Sequence, residues 1–296
     1  MKVTSWNLLH GAATPATPLG AGAGAGPEEL LGETDLPNPG SALSPEVARS
    51  LLRRASSSLV GDVIGLQEVD RGQPRSGGLH QIELLAADLG GAEWAFAPTV
   101  IGTPGEEWRP NTQPEHHLET NSSRSSLSEH SYGIGLISKI PVRKWHRLEL
   151  GRSVIGLPLA VPTSKGVRPL YVKDEPRVAI AAELANGFTI AVTHLSFVPV
   201  VNVYQLRKVQ KWLAKMPGEK ILIGDLNLPF GIPEKVSSWK SLTHDATYPS
   251  WGAKVQFDYI LAQNLNSVQV TSMAQIHPGI SDHLPISVEI EINHQP

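Results

Sequence analysis

Polar residues able to transfer protons or bind a hard cation stand directly after short apolar runs at several points in this sequence: Asn7, Glu68, His194, Asp225 and Asn227. A strand end is a rigid place to hold such a group, and several on one rim would form a constellation. Carboxylates such as Glu68 and Asp282 are the oxygen donors a hard divalent cation needs, and Mg²⁺ typically keeps several waters beside one or two of them. His194 and His283, with a further Asp, form an acid–base set. Asp225 and Asn227 are two residues apart, so in extended backbone their side chains point the same way. Asp282 and His283 are adjacent and reach one pocket only from a turn. Asp258 lies in an apolar run, where a buried carboxylate must be paired or hydrogen-bonded. His283 is its natural partner, because a buried carboxylate can orient a catalytic imidazole. Each residue also has an ordinary reading. A Gln-Glu pair after a strand is commonly solvated, an Asp-x-Asn is commonly a turn or cap, and a lone histidine commonly serves as a structural hydrogen-bonding group.

The elements that must position these groups follow from hydrophobic periodicity. Val63 to Leu66 reads as a buried strand that presents Glu68 at its C-terminal end. Val178, Ile180, Ala182 and Leu184 alternate with other residues, Asn186-Gly187 predicts a type I′ hairpin turn, and the return strand delivers His194. Val203, Leu206, Val209 and Leu213 predict a helix, and Ile221 to Gly224 a strand that delivers Asp225. Tyr259 and Leu261 share a strand face opposite Asp258, and Ile286, Val288, Ile290 and Ile292 alternate behind Asp282 and His283. Ser44-Pro45-Glu46 supplies an N-cap, a first-turn proline and an early acid for a helix carrying Val47, Leu51, Leu52, Ala55 and Leu59. Hairpin and crossover strands with helices between them predict α/β layers with mixed sheets. The Gly102 to Ser131 and Gly151 to Pro169 stretches lack periodicity and are expected as long surface loops. The Ala/Gly/Pro-rich segment 11–43 is expected to be a loop insertion. None of these is flanked by independent cores, so residues 1–296 are expected to form one domain.

Composition narrows the chemistry. The chain has 296 residues, 41% hydrophobic and 18% charged, enough apolar content to fold around an ample core. Without cysteine it has no disulfide, thiolate nucleophile or Cys-bound metal, so any metal must sit on oxygen or nitrogen. A formal charge of −3 gives no global pull toward nucleic acid or anionic membrane. No apolar stretch reaches the roughly 18 residues needed to cross a bilayer, and the first residues lack the pattern of a secretory signal. A cytoplasmic monomer is expected.

Taken in order, Thr4-Ser5-Trp6-Asn7, Leu66-Gln67-Glu68-Val69, Tyr132-Gly133-Ile134-Gly135-Leu136-Ile137-Ser138, Thr193-His194-Leu195, Gly224-Asp225-Leu226-Asn227, Phe257-Asp258-Tyr259-Ile260 and Ser281-Asp282-His283-Leu284-Pro285 resemble the endonuclease/exonuclease/phosphatase superfamily. The resemblance implies a deoxyribonuclease I-like fold: a four-layer α/β sandwich of two mixed β-sheets flanked by helices. It also implies phosphoester hydrolysis with Mg²⁺, or Mn²⁺ in its place. By position, Glu68 resembles the principal metal ligand, with Asn7 and Asp282 beside it. Asp258 and His283 resemble the family's orienting carboxylate and its water-activating or phosphate-binding histidine. Asp225, Asn227 and His194 resemble the groups that position the nucleophile, stabilise pentacoordinate phosphorus and assist the leaving group.

Tyr132 is a candidate phosphate donor, with packing as the alternative, and Arg177 a candidate phosphate clamp, with a surface ion pair as the alternative. Arg71 and Arg75 read as a solvated loop, and His10 as surface or structural. A nuclease needs cations that track phosphates, whereas Arg53-Arg54, Arg143-Lys144 and Arg207-Lys208 with Lys211 are scattered. The preferred substrate is therefore a small or lipid-like phosphoester. DNA or RNA cleavage at the same site is the alternative, and a non-catalytic binding module the remote one.

Overall fold

The computed structural model describes residues 1–13, 43–112, 118–124, 129–163, 166–263, 265, 268–274 and 276–292. Two mixed sheets lie face to face. The first contains β1 (Lys2–Asn7), β2 (Val63–Arg71), β3 (Glu93–Gly102), β4 (Trp108–Pro110), β5 (Glu119–Thr120), β6 (Ser131–Ser138), β15 (Val268–Ser272) and β16 (Ile286–Ile292). Its order is β15-β16-β1-β2-β6-β3-β4, with β5 paired to β3. The second contains β7 (Val142–Gly151), β10 (Arg177–Leu184), β11 (Phe188–His194), β12 (Glu219–Asp225), β13 (Lys240–Ser241) and β14 (Asp258–Gln263), in the order β13-β14-β12-β11-β10-β7. A separate hairpin joins β8 (Leu157–Thr163) to β9 (Gly166–Val172).

Alternation along the strands divides the apolar residues into three cores, and the cores define the layers. Val3, Val63, Leu136, Ile180, Val192, Ile223 and Ile260 fill the space between the sheets. Gly65 of β2 permits their close approach, because a Cβ there would lie 2.6 Å from Ile223 and 2.8 Å from Val192. On the outer face of the first sheet, Trp6, Leu66 and Phe96 meet α1 (Pro45–Ser58) and α2 (Gln81–Asp88) through Leu51, Leu52, Ile82 and Leu85. Leu206, Val209 and Leu213 of α3 (Val201–Leu213) close the second sheet's outer face against Leu222, Tyr259 and Leu261. At roughly 1.5–3 kcal/mol for each large apolar side chain removed from water, these interfaces dominate the fold's cohesion. This is the expected four-layer sandwich. Ser44 caps α1 as its sequence predicts, accepting from Val47 N at 3.3 Å.

Several local expectations are corrected. β2 does not end at Glu68 but runs to Arg71, and its pairing with β6 shifts between Leu66 and Val69. The 186–187 turn has positive φ only at Gly187, so it is not type I′, which needs two such residues. The 102–131 stretch contributes β4 and β5, while 113–117 and 125–128 lie outside the described residues. The 151–169 stretch forms most of the β8–β9 hairpin. Of the 11–43 segment, residues 14–42 lie outside the described residues. Its start is held by an Ala13–Ile280 bridge, and Leu43 packs at the helical core. Among the described residues no helix is long and apolar enough to cross a membrane.

Candidate active site

Each sheet has one parallel pair near its middle, β1–β2 and β11–β12, joined through α1 and α3 respectively. The C-terminal ends of parallel strands are where open α/β sheets gather ligands, and both pairs present their polar residues at the same rim. In the second sheet the row is in register: His194 stands opposite Asp225, and Asp225 opposite Asp258. Facing carboxylates destabilise each other across a ladder, and the turn before β16 supplies the compensating ring. His283 Nδ1 lies 2.7 Å from Asp258 Oδ2, while its Nε2 is 3.9 Å from Asp225 Oδ2. The turn is fixed by Ser281, whose hydroxyl donates to the Asn7 carbonyl at 2.6 Å and accepts from His283 N at 3.1 Å. Trp6 Nε1 donates to the His283 carbonyl at 3.0 Å.

Asn7 ties the two sheets together at this rim. Its Nδ2 donates to Glu68 Oε1 and to Asp225 Oδ2, both at 3.1 Å. Glu68 sits on the β2 irregularity with φ 55, a backbone state non-glycine residues rarely hold without cause. The irregularity turns Glu68 to a partly exposed position, although Gln67 and Val69 on either side are buried.

The electrostatics divide the groups. Burial and the neighbouring Asp258 push Asp225 up to about 7, against the opposing pull of His283 and the hydrogen bonds from Asn227 and Asn7. Burial alone would lower His283, but the charges of Asp258, Asp225 and Asp282 outweigh it and raise the ring to about 10. Burial, with the Arg177 cation, holds His194 well below its ordinary value, so this ring is neutral. Asp282 rises to about 6 through burial and through the charge on Glu68. That mutual opposition of Glu68 and Asp282 is what a divalent cation relieves, and both offer only oxygen, as a hard ion requires. The residues present therefore fit a Mg²⁺-type ion. Asp225, Asp258 and His283 also lie close enough together to hold a metal. Their shortest contact, however, is an imidazole–carboxylate hydrogen bond that occupies the Nδ1 nitrogen.

Of the residues singled out from sequence, Asn7, Glu68, His194, Asp225, Asp258 and His283 are joined by direct polar contacts, and Asp282 is coupled to them by charge. Asn227 departs from expectation. It lies beyond β12 with φ 50, so the same-side argument for extended backbone fails. Its N donates to Asp225 Oδ1 at 3.0 Å and its side-chain amide donates to the Leu195 carbonyl. Tyr132 and Arg177 border one narrow crevice with His194. Arg177 is not in a surface ion pair: it is buried 3.5 Å from Asp174, and its Nε has no hydrogen-bond partner. Arg75 is not solvated either. It grips Asp70 through two 2.8 Å hydrogen bonds and stands over the Tyr132 ring.

Sequence reasoning missed Glu175, which burial pushes up to about 7 although Arg177 pulls the other way. The signal was present in Asp174-Glu175-Pro176-Arg177, a charged cluster at the head of an apolar strand.

No curated protein matches the chain. Among solved structures, an endonuclease/exonuclease/phosphatase from Beutenbergia cavernae is 19% identical, with 98% of this chain and 71% of that one covered and a TM-score of 0.55. A mannosyl-6-phosphatase from Bacteroides thetaiotaomicron is 14% identical over 99% and 100% of the two chains, with a TM-score of 0.54. Beta toxin from Staphylococcus aureus, solved with bound magnesium ions, is 14% identical over 97% and 98%, with a TM-score of 0.50. These likenesses establish the fold. The sequence profile of the Endonuclease/Exonuclease/phosphatase family matches residues 4–283, which include every residue of the rim described above, and the chain belongs to that family.

Proposed function

We propose that the protein is a divalent-metal-dependent phosphoester hydrolase in which an activated water attacks phosphorus. The observation that carries this reading is the in-register row His194–Asp225–Asp258 with His283 clasped at 2.7 Å, set against the oxygen donors of the first sheet. Glu68, with Asn7 and Asp282, would hold Mg²⁺ or Mn²⁺, which when bound offsets phosphate charge and polarises the phosphoryl group. Magnesium in the Staphylococcus aureus protein supports the choice of ion.

The chain's own groups divide the remaining work. Asp258 orients the His283 ring and stabilises its cation, so Nε2–H is a charged donor for a phosphoryl oxygen rather than a base. Asp225, poised near neutrality, accepts the proton of the attacking water. Neutral His194, 3.5 Å from Asp225, positions the leaving oxygen, and Arg177 and Tyr132 supply further donors along the crevice. Asn227 holds Asp225 in place through its backbone N–H.

The substrate proposed is a small or lipid-like phosphoester. Arg53 and Arg54 sit on α1 and Arg207, Lys208 and Lys211 on α3, the outer helical layers. Among the described residues these clusters form no basic track along the rim. A hydrolysis panel of plasmid, abasic duplex, sphingomyelin, inositol phosphates and a chromogenic phosphodiester, with and without chelator, tests the reading. Metal-dependent turnover of at least one small ester is expected. Full activity in excess chelator after dialysis overturns the metal assignment, and turnover of nucleic acid alone overturns the substrate preference.

A further inference from the structure

A groove of about 550 Å³ opens beside the catalytic crevice, between residues 105–110 of the first sheet and the end of β9. Its volume lies within the range of pockets that hold small molecules. It reaches the site through Glu175, which lines it, precedes Arg177 by two residues and is coupled by charge to Glu68 and Arg177. Resting on the phosphoesterase reading, we propose that this groove receives the alcohol part of the substrate, and that this part is an uncharged, carbohydrate-like polyol ring.

Two features of the lining select that class. The first is charge. Glu106, Glu107 and the part-ionised Glu175 line the groove with Arg109, Arg152 and Lys173, and Arg109 is already paired with Glu129 at 2.7 Å, so the groove carries no net positive charge. A polynucleotide entering the groove would meet as much repulsion as attraction from its flanking phosphates, and strand binding relies on a net positive track. A ring carrying hydroxyls can donate to the acids and accept from the cations without bringing charge of its own. The second is the placement of an aromatic ring. Tyr171 is 61% exposed, yet its hydroxyl accepts a hydrogen bond from Gly156 N at 2.8 Å, so an open ring face is held still. Trp108 differs, because the Arg152 guanidinium lies over its ring 5.7 Å from the centroid, which leaves Tyr171 as the open platform. An open aromatic face fixed by a polar anchor offers an apolar platform at small entropic cost, while the charged groups around it satisfy hydroxyls.

The test measures phosphate or alcohol release in Mg²⁺ from glucose 6-phosphate and glycerophosphoinositol. Ethyl phosphate and diethyl phosphate serve as esters of matching order that lack a ring, and an oligonucleotide serves as the charged competitor. Tyr171→Ala is expected to raise KM for the polyol esters about tenfold with kcat little changed and to leave the alkyl esters as they were. Equal effects on polyol and alkyl esters, no effect on either, or a KM rise confined to the oligonucleotide each overturn the proposal. Wild-type cleavage of alkyl esters or oligonucleotide but of neither polyol ester overturns it while leaving the phosphoesterase reading intact. No cleavage of any substrate removes that reading itself.

Discussion

The central pair of the first sheet, β1–β2, and that of the second, β11–β12, use one topological device and end with different chemistry. β12 stops flush at Asp225, in register with His194 and Asp258, and all three side chains are buried. β2 continues past Glu68 through an irregularity that turns this carboxylate to a partly exposed position. Burial raises Asp225 to about 7 and lowers His194, while the carboxylates gathered at this row raise the His283 ring that docks on it from the turn before β16. Exposure keeps a carboxylate accessible to a hydrated cation, so the first sheet offers the side proposed for the metal. Depth at the rim, set by where each strand stops, decides which task a carboxylate takes.

The division breaks if the two sides respond alike to metal. Asp258→Asn is expected to lower turnover by about 10²–10⁴-fold at every metal concentration, because an amide cannot stabilise the His283 cation. Glu68→Gln is expected to lower activity comparably at low Mg²⁺ but to recover part of it as Mg²⁺ or Mn²⁺ is raised. Metal titrations of kcat/KM on both variants decide the matter, and recovery in Asp258→Asn would refute the assignment.

The pH profile sharpens the same contrast. Asp225, raised to about 7, must be ionised to accept a proton, so kcat/KM is expected to fall about tenfold per pH unit below that value, with the slope of one proton. A flat profile from pH 5 to 8 under saturating metal would remove Asp225 as the base.

The two pairs also differ in how tightly they tolerate a side chain. A Cβ at Gly224 of β12 would collide with the Thr193 carbonyl oxygen, part of the adjacent backbone. At Gly65 of β2 it would meet the flexible ends of Ile223 and Val192. Gly65→Ala is expected to cost about 1–3 kcal/mol by overpacking, and Gly224→Ala more. Denaturant unfolding that ranks them the other way contradicts the account.

A smaller effect belongs to the first sheet's edge of the site. Burial and the Arg75 cation lower His10 to about 3. A neutral His in the folded state takes up fewer protons than the unfolded chain below pH 6.5, so stability falls as pH drops from about 6.5 toward 3. The loss by pH 5 is on the order of 1–2 kcal/mol. His10→Asn, which tolerates the positive φ at this position, should flatten that part of a Tm-against-pH curve.

What the sequence disclosed follows from range. Apolar alternation locates β11, β12, β14 and β16 and so the residues at their ends, because period and burial are local properties. The Asp258–His283 pairing was legible since a carboxylate within an apolar run demands a partner. The continuation of β2 past Glu68 was not, because the β6 residues that pair with it are 60 or more positions away. Asn227 was misplaced for a related reason: its orientation is set by Asp225 and by Leu195 on another strand's end, neither of which alternation reports. The 151–169 hairpin escaped notice because its prolines and glycines mask the alternation.

β1 lies between β16 and β2, with Val3 opposite Val288 on one side and Val63 on the other. Ser281 and His283, which complete the rim, bond to Asn7 and Trp6 across more than 270 residues of chain. Contacts between such distant segments close late, since the loop entropy must be overcome before they repay it. During synthesis β1 therefore waits for its outer neighbour, and the His283 imidazole reaches Asp258 only when β16 docks. The rim stays incomplete until the chain through β16 has emerged.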